Sequence, residues 1–321
     1  MDGIIIINKE KGYTSNDIVQ IVRHTLKEKV GHIGTLDPNA TGVLPLLIGK
    51  GTKISKYLIN HDKIYETVLK LGVKTETADG EGKVIDRRNI KKDLLNDNNI
   101  RLVFKEFTGE IEQTPPIYSA IKIDGKKLYE YARKGQKVDV QPRKIKIYDI
   151  ELINNNLEEN EISFKVECSK GTYIRTLCED IAEKFETVGY MKELRRVQVG
   201  EFNIDEAINI DELKANKDDI RYLEEHIISV ENIVDKFNKI KLNNDEIKKF
   251  LNGIKLYKRE QDGIYKIYNE KNIFIGTGII ENKKLKRDVV IERWEVRGEK
   301  WDRETREDQS CFHRYWWDTY K

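Results

Sequence analysis

The chain has 321 residues, of which 38% are hydrophobic and 36% are charged, with a mean hydropathy of -0.65 and a net charge of +2. These values predict a water-soluble globular protein with one large and one small domain, and its apolar runs fall short of the ~20 residues that span a bilayer. The three cysteines (Cys168, Cys178 and Cys311) are widely spaced and match neither a disulfide framework nor a zinc site, which favours a reducing cytoplasm.

Apolar spacing along the first two hundred residues predicts many strands and a few helices. The predicted strands lie near residues 4–7, 65–73, 118–123, 145–152 and 162–167, and the predicted helices cover residues 14–29 and 172–185. Thr14 and Ser15 offer N-caps for the first helix, and a glycine-rich loop from Gly31 to Gly42 follows it. This mixture predicts an α+β fold.

A polar stretch from Asn209 to Asp219 ends the large domain, and residues 220–240 are predicted to be helical and connecting. Beyond it, a helix near 245–251 and short strands at 263–268, 273–280 and 289–291 predict a small β-rich unit.

The last segment, residues 292–321, has a different composition from the rest. It contains all four tryptophans, and five of its seven Lys and Arg residues are arginine. An extension that stacks on bases or docks on a partner is one interpretation. A disordered tail, or the product of read-through, is the other, and the abrupt change in composition favours it.

A basic patch lies between Lys122 and Lys146, where nine basic residues face three acidic ones. The basic residues are Lys122, Lys126, Lys127, Arg133, Lys134, Lys137, Arg143, Lys144 and Lys146. With Tyr129 and Tyr131 among them, they are typical of a surface that follows phosphates. A solvated lysine-rich face explains the segment equally well when it is taken alone.

Residues 31–44, GHIGTLDPNATGVL, place one carboxylate and one imidazole in a turn that contains three glycines and a proline. Glycine permits close approach of the backbone to a ligand, and the Asp-Pro step fixes how Asp37 is presented. From these residues alone, a capped turn in which Asp37 or Thr35 bonds local amides is the favoured interpretation.

This run resembles the catalytic loop of the TruB family of tRNA pseudouridine synthases, G-H-x-G-T-L-D-P-x-A-T-G-V-L. Further family motifs occur in the family's order: KIYE at 63–66, TETADG at 75–80, QTPPIYSAIK at 113–122, GTYIR at 171–175 and LRR at 194–196. Several separated motifs in register argue against a chance match. One departure is Glu10, which stands where the family's N-terminal motif usually has proline.

The resemblance implies a catalytic domain of pseudouridine synthase type at residues 1–230, built on a mixed, largely antiparallel sheet. It also implies an RNA-gripping insertion at about 104–142. A PUA-like RNA-binding domain would follow at 231–291, although a purely structural β cap is the alternative there. Residues 292–321 have no counterpart in the family.

Three catalytic residues are implied by the same resemblance. Asp37 matches the family's essential aspartate, and Arg175 matches the arginine that would hold this carboxylate by a two-pronged hydrogen bond. Tyr65 matches the active-site tyrosine, whose ring could stack on uracil and whose hydroxyl could assist proton movement at C5. A surface ion pair for Arg175 and a core position for Tyr65 are the structural alternatives.

Three residues are expected to bind the substrate. His32 matches the histidine that fills the gap left by a flipped base, and Leu194 matches an apolar residue of the pocket wall. Lys63 belongs to the family's K-x-Y strand. A capping histidine and a core leucine are the corresponding structural alternatives.

The implied activity is isomerisation of uridine 55 in the TΨC arm of tRNA by base flipping and aspartate catalysis, with possible assistance to tRNA folding. The reaction is redox-neutral, so neither a cofactor nor a metal is expected. The enzyme would act as a monomer, without a protein partner or a membrane. Two alternatives stay open: a guide-RNA-dependent catalytic subunit and a non-catalytic tRNA-binding or folding module.

Overall fold

The computed structural model describes residues 1–59, 61–136 and 138–291, so the predicted tail lies outside the described residues. The strands are β1 Gly3–Lys9, β2 Val30–His32, β3 Thr41–Ile48, β4 Lys63–Leu71, β5 Val73–Thr75, β6 Val84–Arg87, β7 Gly109–Gln113, β8 Lys122–Ile123, β9 Lys126–Lys127, β10 Arg143–Asn156, β11 Glu161–Cys168, β12 Gly189–Val199, β13 Phe202–Asn203, β14 Ile227–Ser229, β15 Asn238–Lys241, β16 Leu256–Tyr257, β17 Gly263–Tyr268, β18 Phe274–Glu281 and β19 Lys284–Val290. The α-helices are α1 Ser15–Leu26, α2 Asp97–Phe107, α3 Leu128–Arg133, α4 Ile174–Lys184, α5 Ile210–Ala215, α6 Ile220–His226, α7 Val230–Ile233 and α8 Asn244–Leu251, and 3-10 turns occur at Gly49–Tyr57, Lys92–Leu94 and Ile204–Glu206. Among these helices, none has the length and apolar character needed to cross a membrane.

The main sheet has the strand order β14-β1-β3-β12-β4-β11-β10-β7, with β2 paired to β3 and β13 paired to β12. Of the pairs in its described strands, only β12 with β3 is parallel. Helices α1, α2 and α4 contribute apolar residues to the core that this sheet covers. The predicted α+β class, with a mixed and largely antiparallel sheet, is confirmed.

Strand β1 explains why four consecutive isoleucines begin the fold. Alternate side chains of a strand point to opposite faces of its sheet. Ile5 and Ile7 join the main core, whereas Ile4 and Ile6 join a second core on the other face. Because both faces are covered, the strand is apolar throughout, as expected for a strand buried on both sides.

The second sheet, β15-β17-β18-β19-β16, forms the small β-rich unit predicted after residue 242. It packs against the large unit through the second core, to which Tyr268, Phe274 and Val289 contribute. Polar contacts at the same boundary join Asp288 to Lys56 and Tyr57. The two units therefore share both apolar and polar contacts.

The segment expected to form the RNA-gripping insertion divides into two parts. Phe104 and Phe107 of α2 are buried in the main core, and β7 is the edge strand of the main sheet. The later part, from 122 to 133, forms a separate two-stranded hairpin followed by α3. Residues up to Gln113 thus belong to the catalytic scaffold.

Three predictions about secondary structure are wrong. Residues 220–240 are helical only in part, because β14 pairs with β1 and β15 pairs with β17. Residues 118–121 are not a strand, because the carbonyl of Tyr118 accepts from the Arg175 side chain and the carbonyl of Ser119 accepts from the Tyr129 amide. The first helix ends at Leu26, and not near residue 29, because Lys27 takes a left-handed conformation with φ 54°. Strand β12 was not predicted at all.

Candidate active site

The loop that carries Asp37 is fixed to the N-terminal segment by side chains. The Ser15 hydroxyl donates to the Leu36 carbonyl at 3.1 Å and accepts from the Leu36 amide at 2.8 Å. Ser15 is therefore a loop tether, whereas Thr14 alone caps α1, in a reciprocal pair with Asp17. On the other side of Asp37, the Pro38 carbonyl accepts from the buried Lys9 ammonium at 2.9 Å.

Arg175 lies beneath this loop and joins three of the separated motifs. Its Nε lies 3.2 Å from Oδ2 of Asp37, and its Nη1 lies 3.6 Å from Oδ2 of Asp79. The guanidinium also donates to the carbonyls of Thr77 at 3.3 Å and Tyr118 at 3.0 Å. The expected two-pronged bond to Asp37 is not among the contacts of the described residues, where Nε pairs with that carboxylate and the terminal nitrogens contact the other partners.

Helix α4 presents Arg175 from its first turn, and Gln113 fixes the start of that helix. The Gln113 side chain accepts from the Tyr173 amide at 2.7 Å and donates to the Tyr173 carbonyl at 3.1 Å. Gln113 is the first residue of the QTPPIYSAIK motif, so this motif fixes the N-terminal end of the helix that carries Arg175 of GTYIR. Because 60 residues separate Gln113 from Tyr173, the sequence alone does not predict this contact.

The Asp37 carboxylate is accessible while its partner is not. The side chain of Asp37 is 38% exposed, compared with 9% for Arg175. Partial burial raises the pKa of the Asp37 carboxyl, the charge of Arg175 lowers it, and the nearby Asp79 raises it. A carboxylate with a raised pKa is more basic than a free aspartate, which suits a nucleophile or a base.

Tyr65 and Leu194 lie on neighbouring strands at the centre of the main sheet. Tyr65, on β4, is 9% exposed, and burial raises the pKa of its hydroxyl. Leu194, on β12, is half-buried and packs against the main core. The charge of Asp37 also raises the Tyr65 pKa, so the two side chains lie within electrostatic reach of each other.

His32 is the last residue of β2, Lys63 is the first residue of β4, and both lie within electrostatic reach of Arg196. Burial, followed by the charge of Arg196, lowers the pKa of His32 to about 4. The same two causes lower the pKa of Lys63 to about 8. His32 is therefore neutral near pH 7. A neutral imidazole costs less free energy to desolvate than an imidazolium, so it can insert into a stack of bases more easily.

Three residues at the site were not assigned a role from the sequence: Lys9, Asp79 and Tyr173. Lys9 is fully buried, with its pKa lowered to about 8 chiefly by that burial. Asp79 shares Arg175 with Asp37, and Tyr173 is half-buried beside both. A signal existed for the last two, because both stand inside recognised motifs, TETADG and GTYIR.

Two open surface grooves lie elsewhere on the molecule. One, of about 550 Å³, lies between α1 and α5, and the other, of about 400 Å³, lies beside Ile6 and His226. Neither is lined by Asp37, Arg175 or Tyr65. The site is identified by the motifs that converge on the Asp37–Arg175 ion pair, and not by the size of a cavity.

The fold is similar to that of chains in two complexes of known structure. It superposes on a chain of a Cbf5-Nop10-Gar1 complex with a TM-score of 0.62 and 25% identity, covering 91% of this chain and 84% of that chain. It also matches a chain of an H/ACA RNP bound to a substrate RNA containing 2'-deoxyuridine, at a TM-score of 0.63 and 24% identity, covering 92% and 86% of the two chains. The predicted fold of pseudouridine synthase type is confirmed.

Three family models match successive parts of the sequence. They describe the N-terminal domain of the TruB family pseudouridylate synthases (residues 23–174), a tRNA pseudouridylate synthase B C-terminal domain (175–235) and a pseudouridine synthase II TruB C-terminal region (239–289). The chain belongs to the TruB family.

Curated relatives named tRNA pseudouridine synthase B match over nearly their whole length. The protein of Clostridium kluyveri is 43% identical over 89% of this chain and 98% of that protein. The protein of Clostridium perfringens (strain ATCC 13124) is 44% identical over 91% and 99%, and that of Aquifex aeolicus is 41% identical over 87% and 95%.

Proposed function

We propose that this protein is a tRNA pseudouridine synthase that isomerises uridine 55 in the TΨC arm, with Asp37 as the catalytic carboxylate. The observation that carries the proposal is the Asp37–Arg175 pair, in which an accessible carboxylate is held by a buried guanidinium. The similarity to known proteins supports the assignment, since relatives named tRNA pseudouridine synthase B are more than 40% identical to this chain over most of its length.

The reaction needs little beyond an activated carboxylate. The N1–C1′ bond breaks, the uracil turns, and C1′ joins C5. The proton on C5 leaves and N1 gains one, so the atoms balance without a redox partner. Asp37 acts as the nucleophile toward the sugar or the base, and Arg175 keeps it ionised by opposing the effect of burial on its pKa.

The residues around Asp37 receive roles consistent with their surroundings. Tyr65 stacks on the extruded uracil and assists proton movement at C5. Leu194 excludes water from one wall. His32, neutral near pH 7, fills the space that the base leaves, and Lys63 binds the substrate from the end of β4.

The basic patch begins beside this site, which supports a role in holding RNA. Tyr118 contacts Arg175 through its carbonyl, and the hairpin of β8 and β9 follows four residues later. Exposed cations of this segment include Lys126, Arg133 and Lys134. Because the chain before Gln113 is part of the scaffold, we assign the RNA-gripping role to residues 114–142.

We further propose that residues 1–230 form the catalytic domain and that residues 231–291 form a PUA-like domain, which contacts RNA mostly through phosphates. The enzyme acts as a monomer without a guide RNA or a protein partner. A tRNA substrate and two free, buried cysteines, Cys168 and Cys178, suit a cytoplasmic location.

The test is incubation of the purified protein with a bare, unmodified tRNA transcript, followed by site-specific mapping of pseudouridine. The proposal expects pseudouridine at position 55 and none in a matched transcript that carries cytidine there. Modification that requires an added guide RNA would contradict the stand-alone assignment. Modification at another uridine would contradict position 55 alone, and tRNA binding without modification would contradict the enzyme assignment.

A further inference from the structure

Among the described residues, Arg196 has the largest fully buried side chain, which is 1% exposed. It lies on β12, in register with Tyr65 on β4 and with Gly42 on β3. No carboxylate within the described ranges forms an ion pair with it. Burial of a guanidinium without a counter-charge costs several kcal/mol unless its donors are all satisfied. The hydrogen-bond partners of these donors therefore indicate the role of Arg196.

The donors of Arg196 hold both ends of the loop that carries Asp37. Nη2 donates to the Gly34 carbonyl at 2.8 Å, and Nε donates to the Val43 carbonyl at 2.8 Å. Arg196 also lies opposite Tyr65 in the pairing of β12 with β4, and its charge lowers the pKa of Tyr65 against the larger effect of burial. One side chain thus connects the loop ends beside the aromatic residue of the site.

Two of the three glycines of the loop, Gly34 and Gly42, make room for this arginine. A Cβ on Gly34 would lie 3.2 Å from Nη1 of Arg196, and a Cβ on Gly42 would lie 2.1 Å from the Arg196 carbonyl oxygen. Both glycines have positive φ, 73° and 100°. The absence of a side chain at Gly34 and Gly42 therefore leaves space for the side chain and the backbone of Arg196.

We propose that Arg196 is a positioning residue, which clamps the two ends of the Asp37 loop into one arrangement beside Tyr65. It acts through these groups and not on the RNA, because its burial leaves no surface for a phosphate to reach. The proposal rests on the proposed function for its effect on catalysis. Its structural content, an immobilised loop, does not depend on turnover.

Arg195 provides a matched control. It precedes Arg196 on β12, carries the same charge, and is exposed, with its strand partners Glu66 and Thr41. Replacing either arginine by methionine removes one positive charge and keeps a similar length of side chain. Only Arg196→Met removes the donors to Gly34 and Val43.

The experiment measures amide hydrogen exchange of peptides covering residues 31–44 in the wild-type protein, Arg196→Met, Arg196→Lys and Arg195→Met. The Leu36 amide donates to Ser15 Oγ of α1 and the Ala40 amide donates to the Asp37 carbonyl, so the exchange of both amides reports the order of the loop. We expect their exchange to accelerate by about tenfold or more in both Arg196 variants, because the loop opens locally, and to be unchanged in Arg195→Met.

Turnover of a tRNA transcript supplies the second measurement. Lysine keeps the charge of Arg196 but not the planar fork. We expect Arg196→Lys to lower kcat by about tenfold or more while KM stays within about threefold, since misplacement of reacting groups raises the barrier more than it weakens binding. If Arg196→Met does not fold, Arg196→Lys decides the question.

Wild-type exchange of the loop amides in Arg196→Lys together with wild-type kcat would overturn the clamp, as would a loss of activity that lies wholly in KM. If the wild-type protein forms no pseudouridine, the proposed function fails, whereas the exchange measurement still decides whether Arg196 holds the loop.

Discussion

Arg175 contacts four partners, two by ion pairs and two by hydrogen bonds, so its shape matters as much as its charge. Nε serves Asp37, and the two terminal nitrogens serve Asp79 and the carbonyls of Thr77 and Tyr118. An ammonium cannot reproduce this fork, although it can offset the charge of one carboxylate.

Replacing Arg175 by lysine should therefore impair catalysis far more than binding. We expect kcat for pseudouridine formation to fall by about 100-fold or more, because the carboxylate loses its fixed orientation, while the Kd for tRNA changes by less than about fivefold. Single-turnover kinetics and filter binding measure the two quantities. A matched change at the exposed Arg23, Arg23→Lys, should alter neither. Wild-type kcat in Arg175→Lys would contradict this role.

His32 supplies a prediction about pH. Its folded pKa of about 4 lies below the ordinary value of 6.5. Between these two values the unfolded chain binds a proton that the folded chain refuses, so the free energy of unfolding falls as pH decreases through this window. We expect His32→Gln to reduce the acid-induced loss of stability between pH 7 and pH 4.5 by about 2 kcal/mol.

Urea unfolding at the two pH values measures this difference. The exposed His24 provides the control, since His24→Gln should leave the loss of stability unchanged. An identical pH dependence in His32→Gln and the wild-type protein would show that His32 is not buried in its neutral form.

Strands β3 and β12 approach closely where the Asp37 loop ends, and Gly42 permits that approach. A Cβ there would lie 2.1 Å from a backbone oxygen, which cannot move aside as a flexible side chain can. Gly109 has a similar φ, 111° compared with 100°, but a Cβ on it would meet no atom within 4 Å. Substitutions at these two glycines therefore separate the free-energy cost of a steric clash from that of backbone strain.

Gly42→Ala should therefore destabilise the protein much more than Gly109→Ala does. Positive φ alone costs alanine about 1 kcal/mol, and we expect about 3 kcal/mol or more at Gly42, since the parallel pairing with β12 must separate. Chemical denaturation of the two variants gives the comparison. Equal destabilisation would mean that the strands can move apart freely.

The sequence predicted those elements whose pattern is local. Four isoleucines in a row indicated β1, and Thr14 indicated the start of α1. Strand β12 was missed because its sequence, GYMKELRRVQV, has no apolar alternation and takes its place from pairing with β3 and β4. The resemblance of the motifs predicted that Asp37 and Arg175 form a pair. It did not predict that Arg175 also pairs with Asp79, because the spacing of residues along the chain does not give their distance in the fold.

At the scale of the whole molecule, the Asp288 carboxylate of the small sheet contacts the large unit at their boundary. The Asp288 side chain is 9% exposed and contacts Lys56, Tyr57 and Thr277. Tyr57 also packs edge-on against Phe237, with ring centroids 5.3 Å apart. These contacts couple the small unit to the scaffold of the catalytic site.

Asp288→Ala should weaken this coupling. Loss of a charged acceptor leaves the buried Tyr57 hydroxyl with one partner fewer, and we expect the free energy of unfolding to fall by about 2 kcal/mol. Calorimetry should show a lower or a divided transition. The exposed Asp245 serves as the control, since Asp245→Ala should have a smaller effect. A wild-type transition in Asp288→Ala would mean that apolar packing alone joins the units.

The catalytic role of Asp37 is tested most directly by Asp37→Asn, which keeps the shape of the side chain and removes its charge. Pseudouridine formation and tRNA binding are measured side by side on the same unmodified transcript for this variant and the wild-type protein. We expect no detectable pseudouridine from Asp37→Asn, with binding within about fivefold of wild type, because the carboxylate is needed for the chemistry and not for contacts to RNA phosphates. Pseudouridine formed by Asp37→Asn at a rate near that of the wild-type protein would contradict the assignment.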